Sequence, residues 1–246
     1  MQKKYEFTGE TTTDIAEGAT LHRIRAVRNF ADVKAGDLGG WIESEYNLDH
    51  AGKCWVYDDS AVFGRGRVRH NAKVMNNSNV YDNGTVGDGA IIDNSSVFGS
   101  ATVGHLARIE DRSQVYQSAF INGYTRVCRS EIRSHAYIRG DVIKDAEIRV
   151  PCVIHHGYIK SSRDLVTVGP IGSEGGILTA YRAKSGVEVN RGCFSGTLDE
   201  FKAAVKETHS NNEYGRSYAA LIEFLKLHFG EEVKRTCHEN NGCEFA

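Results

Sequence analysis

Three residues that could carry acid–base chemistry recur at nearly equal spacing: His70, Asp88 and His105 are 18 and 17 residues apart. Histidine titrates near neutral pH, and a neighbouring carboxylate can orient the imidazole as a general base. The alternative is structural, because His, Asp, Asn and Gly all accept the backbone geometry of tight turns. The spacing predicts either a stacked His–Asp–His base site or a row of turn residues, and we favour the turns.

A second candidate site surrounds the segment RGCFSGTLDE, residues 191–200. Its small residues allow close backbone approach just before a helix N-terminus, where free N–H groups favour an anion such as phosphate or a nucleotide. The same residues also make an ordinary turn followed by an N-cap. Cys193 is interpreted as a core thiol rather than a nucleophile. The predicted ligand-binding residues are Arg182, Arg191, Gly192, Ser195, Gly196 and Thr197.

Composition limits the other chemistries. The net charge of −2 makes a nucleic-acid partner unlikely on electrostatic grounds. Six cysteines without a CxxC pair suggest reduced thiols, and the spacing of Cys237, His238 and Cys243 is unlike common zinc sites, so neither a metal nor another cofactor is predicted. The chain has no run of about 18 apolar residues, and it starts MQKKYEFTGETTTD without a leader, which predicts no membrane partner and a cytoplasmic location.

The elements that must position these residues are set by a six-residue repeat. A small residue precedes each repeated apolar residue by two positions, so both side chains point to one side of a short strand, and Asp, Asn and Gly then turn the chain. A short period over roughly 100 residues is typical of a solenoid. The repeat has eighteen apolar positions. The apolar positions are 56, 62, 68, 74, 80, 86, 92, 97, 103, 109, 115, 121, 127, 132 and 138, then Val142 or Ile143, then 148 and 154.

Residues 54–159 resemble the hexapeptide-repeat family in their order of aliphatic, x, x, x, small, x. This resemblance implies a left-handed parallel β-helix with three sides and commonly a homotrimer. Sorting the eighteen apolar positions into three columns then predicts six coils. The stretch LHRIRAVRNFADVKAGDLGGWIESEYNLDHAGKCWVYDD is similar to β-helical proteins commonly encoded by phages and prophages, some of which are labelled putative transferases. The resemblance also implies acyl transfer from a thioester, with a histidine base in a groove between subunits.

An aromatic ladder is predicted on one outer face. Phe63, Tyr81, Phe98 and Tyr116 each follow a second-column apolar residue, at spacings of 18, 17 and 18. Stacked coils bring such residues to the distance between neighbouring strands, about 4.8 Å. Exposed rings favour coverage, so we predict a subunit interface made of Phe63, Tyr81, Phe98, Tyr116, Arg133 and Arg149. The step shortens to five residues after Ile92 and again after Val127, which predicts a tightened corner beside the ladder.

The fold class is therefore mainly β, with four segments. Residues 1–50 form an N-terminal β cap, 51–160 the β-helix, 161–235 a small α+β domain and 236–246 a flexible tail. The α+β domain has three strands, near 164–169, 177–182 and 187–191. A capping box of Thr197 and Glu200 opens its first helix. Its second helix, about 214–229, places Tyr214, Tyr218, Leu221, Leu225 and His228 on one side.

The favoured function from sequence is non-enzymatic. It is a phage-type accessory protein, a homotrimer that binds or sequesters a host protein or a small anionic ligand, such as a nucleotide immune signal, in the host cytoplasm. The alternative is an acyltransferase that uses a thioester donor, with His70 or His105 as the base and Asp88 as its partner. The repeat has no long loop that could wall off a channel for the donor, which weighs against the enzyme.

Overall fold

The computed structural model describes residues 2–14, 18–140 and 142–230, and over these residues the chain forms 26 strands and two α-helices. Two longer strands come first, β1 (Tyr5–Thr13) and β2 (Thr20–Ala26). The short strands that follow are β3 (Leu38–Ile42), β4 (Trp55–Val56), β5 (Ala61–Val62), β6 (Arg67–Val68), β7 (Lys73–Met75), β8 (Asn79–Val80), β9 (Thr85–Val86), β10 (Ile91–Asp93), β11 (Ser96–Val97), β12 (Thr102–Val103), β13 (Arg108–Glu110), β14 (Gln114–Val115), β15 (Phe120–Asn122), β16 (Arg126–Cys128), β17 (Glu131–Ile132), β18 (Ala136–Arg139), β19 (Val142–Lys144), β20 (Glu147–Ile148), β21 (Cys152–His155) and β22 (Tyr158–Ile159).

These short strands wind into a three-sided parallel β-solenoid. Each coil adds one strand to each of three sheets, and strands that are three apart in the chain pair in parallel, as β10 does with β7 and β13. One face has the order β4, β7, β10, β13, β16, β19, β22, which corresponds to about seven turns. The repeated valines and isoleucines fill the interior, and the ambiguous repeat position is Ile143, which is buried and pairs with Val127.

The prediction of six coils was one coil short. Ile42 pairs with Val62 and Leu48 bridges to Val68, so the first coil begins within the segment predicted to be a cap. The sequence pattern missed this coil because eight residues, not six, separate Leu48 from Val56. Upstream, β1 and β2 extend the same sheet with antiparallel pairing.

Backbone conformation differs among the corners beside the aromatic ladder. The six-residue corner after Val74 contains two residues with positive φ, Asn76 and Asn77. The five-residue corners contain one each, Asn94 and Arg129, although Asp58 alone serves an earlier six-residue corner. The inward side chains keep their register across the shorter step.

A ladder of buried serines lies inside this same corner. The Oγ atoms of Ser60, Ser78, Ser95 and Ser113 each accept the backbone N–H of the next serine along the ladder, which ends with Ser130, at N–O distances of 3.1 to 3.2 Å. These N–H groups have no water to bond, so the hydroxyls satisfy donors that burial would otherwise leave unpaired.

The C-terminal part is an antiparallel sheet packed against two helices. The sheet contains β23 (Leu165–Ile171), β24 (Gly176–Ala183), β25 (Gly186–Arg191) and β26 (Phe194–Thr197), and the helices are α1 (Leu198–His209) and α2 (Glu213–Phe229). The sequence prediction missed β26. It also rotated the buried face of α2, because Ile222 and Phe229 are buried whereas Tyr214 is exposed. No helix in the described residues is long and apolar enough to cross a membrane.

Side chains of the C-terminal sheet bond to the free edge of β21, the end strand of one solenoid sheet. Thr179 Oγ1 accepts the Val153 N–H at 3.3 Å, and Asn190 Nδ2 donates to the Val153 carbonyl oxygen at 2.8 Å. Tyr181 Oη accepts the His155 N–H at 3.1 Å and donates to the His155 carbonyl oxygen at 3.0 Å. Three side chains thus supply the hydrogen bonds that another coil would have supplied to β21.

We expect Ser113→Ala to lower the free energy of unfolding by about 1–3 kcal/mol, because the buried Ser130 N–H loses its acceptor. Chemical denaturation followed by circular dichroism measures this change. Ser118→Ala, at an exposed position, is the matched control and should leave stability almost unchanged. Equal effects of the two variants would contradict the role assigned to the serine ladder.

We expect Tyr181→Phe to destabilise the protein by about 1–3 kcal/mol, since the edge of β21 loses its hydroxyl partner at His155. Hydrogen exchange should show the loss of protection concentrated at His155 and its neighbours. The control is Tyr124→Phe, because the Tyr124 side chain is 80 % exposed. Unchanged protection at His155 would show that Tyr181 does not hold this edge.

Candidate functional site

The structure brings His70, Asp88 and His105 together along one corner of the solenoid. The Asp88 N–H donates to His70 Nδ1 at 3.2 Å, and the His105 N–H donates to Asp88 Oδ2 at 3.0 Å. All three residues have positive φ, between 52° and 56°, and the side chains of His70 and Asp88 are more than half exposed. The three residues are therefore close together, as predicted, and they lie on an open surface rather than in a cavity.

The hydrogen bonds along this corner match a turn role. His70 Nδ1 accepts the Asp88 N–H, so the neutral imidazole carries its proton on Nε2. The protonated Nε2 cannot act as a base, and the lone pair of Nδ1 is already used by the turn. A second corner shows the same pattern without histidine, since Asp82 Oδ2 accepts the Gly99 N–H and Gln117 Oε1 accepts the Ser134 N–H. The catalytic role of these residues stays a prediction.

The six residues of the predicted anion site separate into two groups. Arg182 bonds to Asp164 and to the Phe229 carbonyl oxygen, so it joins α2 to the start of the sheet. Thr197 forms the expected capping box with Glu200, and Gly196 lies against Glu200. Hydrogen bonds from Thr197 hold the pKa of Glu200 below its usual value, so α1 already carries a carboxylate at its N-terminus.

The other three, Arg191, Gly192 and Ser195, line a cavity that we call the C-terminal cleft. It lies where β21 meets the C-terminal sheet and has a volume of about 270 Å³. The full lining is His135, Pro151, Cys152, Val153, His155, Ile177, Thr179, Asn190, Arg191, Gly192, Cys193, Phe194 and Ser195. No carboxylate belongs to this lining, so the described walls are apolar, neutral or basic.

His155 is the titratable group that best suits this cleft. Burial lowers its pKa from the ordinary value of 6.5, the charges of His156 and Arg139 lower it further, and Glu188 offsets part of the shift. The ring makes an edge contact with Tyr137, with centroids 5.9 Å apart, and Tyr181 holds its backbone. The imidazole is therefore uncharged at neutral pH and able to accept a proton.

Sequence reasoning missed this site because its walls come from segments far apart in the chain. His155 follows a repeated isoleucine and so faces outward, which the repeat pattern could have indicated. Cys193 is an exposed thiol, not the core thiol that was predicted, and it shares the cleft with His135 and His155. The local sequence around Cys193 does not indicate that it lies near these histidines.

The predicted aromatic ladder forms as a continuous stack. Ring centroids are 5.1 Å apart for Phe63 and Tyr81, 4.8 Å for Tyr81 and Phe98, and 4.7 Å for Phe98 and Tyr116, with nearly parallel planes. Phe63 is not exposed as expected, because it packs in a small cluster with Leu21 from β2.

The two arginines that were predicted to continue the ladder have partners within the chain. Arg133 and Arg149 both lie within 4 Å of Glu131, and Arg149 also bonds to Glu147 at 2.7 Å. The subunit interface on this face stays a prediction.

No group of three metal-ligating side chains is found in the part of the chain that the structure describes. Cys237, His238, Cys243 and the predicted tail, 236–246, lie outside those residues.

Comparison with known proteins gives a partial match. No protein-family model matches the chain. A stretch of 59 residues is 41% identical to an uncharacterized acetyltransferase, YdcK, of Escherichia coli strain K12. The match covers 24% of this chain and 18% of that protein, so the chain spans less than a fifth of its relative's length. The match and the parallel β-solenoid both fit the hexapeptide-repeat β-helix proteins.

Proposed function

We propose that this protein transfers an acyl group from a thioester donor to a small acceptor in the C-terminal cleft, and that the acyl group is acetyl. The observation that carries the proposal is His155, an imidazole with a lowered pKa in the wall of a cavity at the end of a β-solenoid. The partial similarity to a protein described as an acetyltransferase supports the same chemistry. His155 replaces His70 and His105 as the proposed base, because those two lie on an open corner.

The reaction needs one proton acceptor and one site for two substrates. His155 accepts a proton from the acceptor's O–H or N–H group while that oxygen or nitrogen attacks the thioester carbonyl carbon. The carbon–sulfur bond breaks, and the thiolate leaves and takes up a proton. An uncharged imidazole serves this step because its lone pair is free at neutral pH.

The size of the cleft limits what it can enclose. Its volume of about 270 Å³ lies just below the range typical of sites for drug-sized ligands, about 300–1,000 Å³. A single ring or the acyl end of a donor fits, whereas a whole thioester cofactor or nucleotide must extend outside. The apolar wall that includes Val153, Ile177 and Phe194 favours such a compact group.

The second candidate is retention of a small anionic ligand without reaction, as the sequence favoured. The observation that supports it is the lining of the same cleft, which includes Gly192 and Ser195 and no carboxylate. The Arg191 guanidinium is directed elsewhere, since its Nη2 donates to the Ile171 carbonyl oxygen. In this form the protein sequesters a host ligand, such as the base of a nucleotide signal, or binds a host protein. Left-handed winding, a homotrimer assembled through the aromatic ladder and a phage origin belong to both candidates as implications of the family resemblance.

We expect His155→Gln to lower kcat/KM for acetyl-CoA and a reactive acceptor by about 10²–10⁴-fold, the usual contribution of a general base. Release of free thiol measures the rate with a panel of small alcohols and amines. His70→Gln, at the exposed corner, is the matched control and should retain wild-type activity. The transfer proposal would be wrong if His155→Gln were as active as the wild type or if no acceptor released thiol.

The pH profile of kcat/KM should follow the lowered pKa of His155. The base form predominates above that pKa, so the fall in rate on acidification should have its midpoint below pH 6.5. A fall centred at or above 6.5 would contradict this assignment.

Retention without reaction predicts a different result. Nucleotides or other anions at concentrations well above Kd should raise Tm, because they bind only the folded protein, while acetyl-CoA releases no thiol. The increase should shrink in Ser195→Ala, which lines the cleft, and persist in Ser217→Ala, an exposed serine on α2. Equal increases in both variants would remove Ser195 from this role.

A further inference from the structure

Asn190 carries a buried hydrogen-bond acceptor that the chain itself does not use. Asn190 is 6 % exposed and lines the C-terminal cleft. Its Nδ2 donates to the Val153 carbonyl oxygen at 2.8 Å and to Tyr181 Oη at 3.0 Å. Its Oδ1 has no hydrogen-bond partner among the described residues. A buried acceptor without a partner destabilises the folded protein, and a ligand with a donor would offset that loss.

The orientation of the Asn190 amide is determined by its surroundings. A carbonyl oxygen can only accept, so the group facing the Val153 carbonyl must be the Nδ2 amine. The reversed amide would place two oxygens against each other and lose this bond. The unpaired atom is therefore an acceptor, and the missing partner is an O–H or N–H donor.

The charges around the cleft exclude a cationic donor. The lining contains two histidine side chains and no carboxylate, and the neighbouring carboxylate of Glu188 already bonds to Ser185 and Tyr181, so an ammonium group would enter without a free counter-charge. The Arg191 side chain itself points to the helix side of β25, because adjacent strand residues face opposite ways, and its Nη2 donates to the Ile171 carbonyl oxygen. An uncharged donor does not need a counter-charge and so avoids this cost.

We infer that Asn190 is the specificity-determining residue of the C-terminal cleft and selects an uncharged, single-ring ligand that donates an O–H or amide N–H to Asn190 Oδ1. The apolar side chains of Val153, Ile177 and Phe194 contact the ring. The inference that this ligand is the acceptor substrate rests on the proposed function, whereas the inference that the cleft binds such a ligand does not. An acceptor that reacts here carries two donors, one held by Asn190 and one deprotonated by His155.

Three probes of nearly equal size test the inference on the wild-type protein: cyclohexanol, fluorocyclohexane, which lacks a donor, and cyclohexylamine, which is cationic at neutral pH. We expect cyclohexanol to bind at least about tenfold more tightly than either, because only it pairs Oδ1 without a charge penalty. Titration followed by nitrogen-15 NMR measures Kd, and the side-chain amide signal of Asn190 should shift. Equal affinities, or binding of cyclohexanol that leaves this signal unmoved, would overturn the inference.

Two variants extend the test. Asn190→Asp keeps acceptor oxygens and adds a charge, so the preference should change to cyclohexylamine. Thr179→Val also removes a hydrogen bond to β21 but leaves Oδ1 intact, so it should keep the wild-type order. If Asn190→Asp does not fold, the wild-type probes decide. Cyclohexanol binding together with no thiol release from any acceptor would reject acyl transfer and leave the inference about binding standing.

Discussion

The fold depends on backbone hydrogen bonds between successive coils. Each strand of two to four residues is too short to be stable alone, and it is held by the N–H and C=O groups of the coils on either side. This arrangement satisfies every interior coil and leaves the last coil with one unpaired edge. The edge of β21 must therefore find other partners, and Thr179, Tyr181 and Asn190 supply them.

The C-terminal cleft follows from the way in which that edge is satisfied. A further strand would lie about 4.8 Å from β21 and leave no space, whereas side chains hold the C-terminal sheet at a greater distance. In β25, Val187 and Val189 face the helices, so Glu188 and Asn190 face the solenoid. The same alternation that builds the hydrophobic core of the C-terminal part directs a polar amide into the cleft.

Sequence periodicity predicted what repeats and missed what occurs once. The inward residues of the coils, the aromatic stack and the capping box at Thr197 all follow from spacing, because each depends on neighbours at a fixed distance along the chain. The first coil was missed because of its irregular length after Leu48. The cleft was missed because His135, His155 and Phe194 are joined by tertiary packing, which no local pattern encodes.

The contrast between the two groups of histidines shows where chemistry can be expected in a solenoid. At a corner, backbone geometry restricts the residue to types that accept positive φ, so His70 and His105 are explained without any reaction. His155 lies at an outward strand position, where the backbone accepts almost any residue and the identity is free to serve another purpose. Its burial lowers its pKa, which an exposed corner would not do to the same extent. In a repeat protein, a polar residue that the repeat does not require is therefore the stronger candidate for function, and His155 and Asn190 both meet that condition in one cleft.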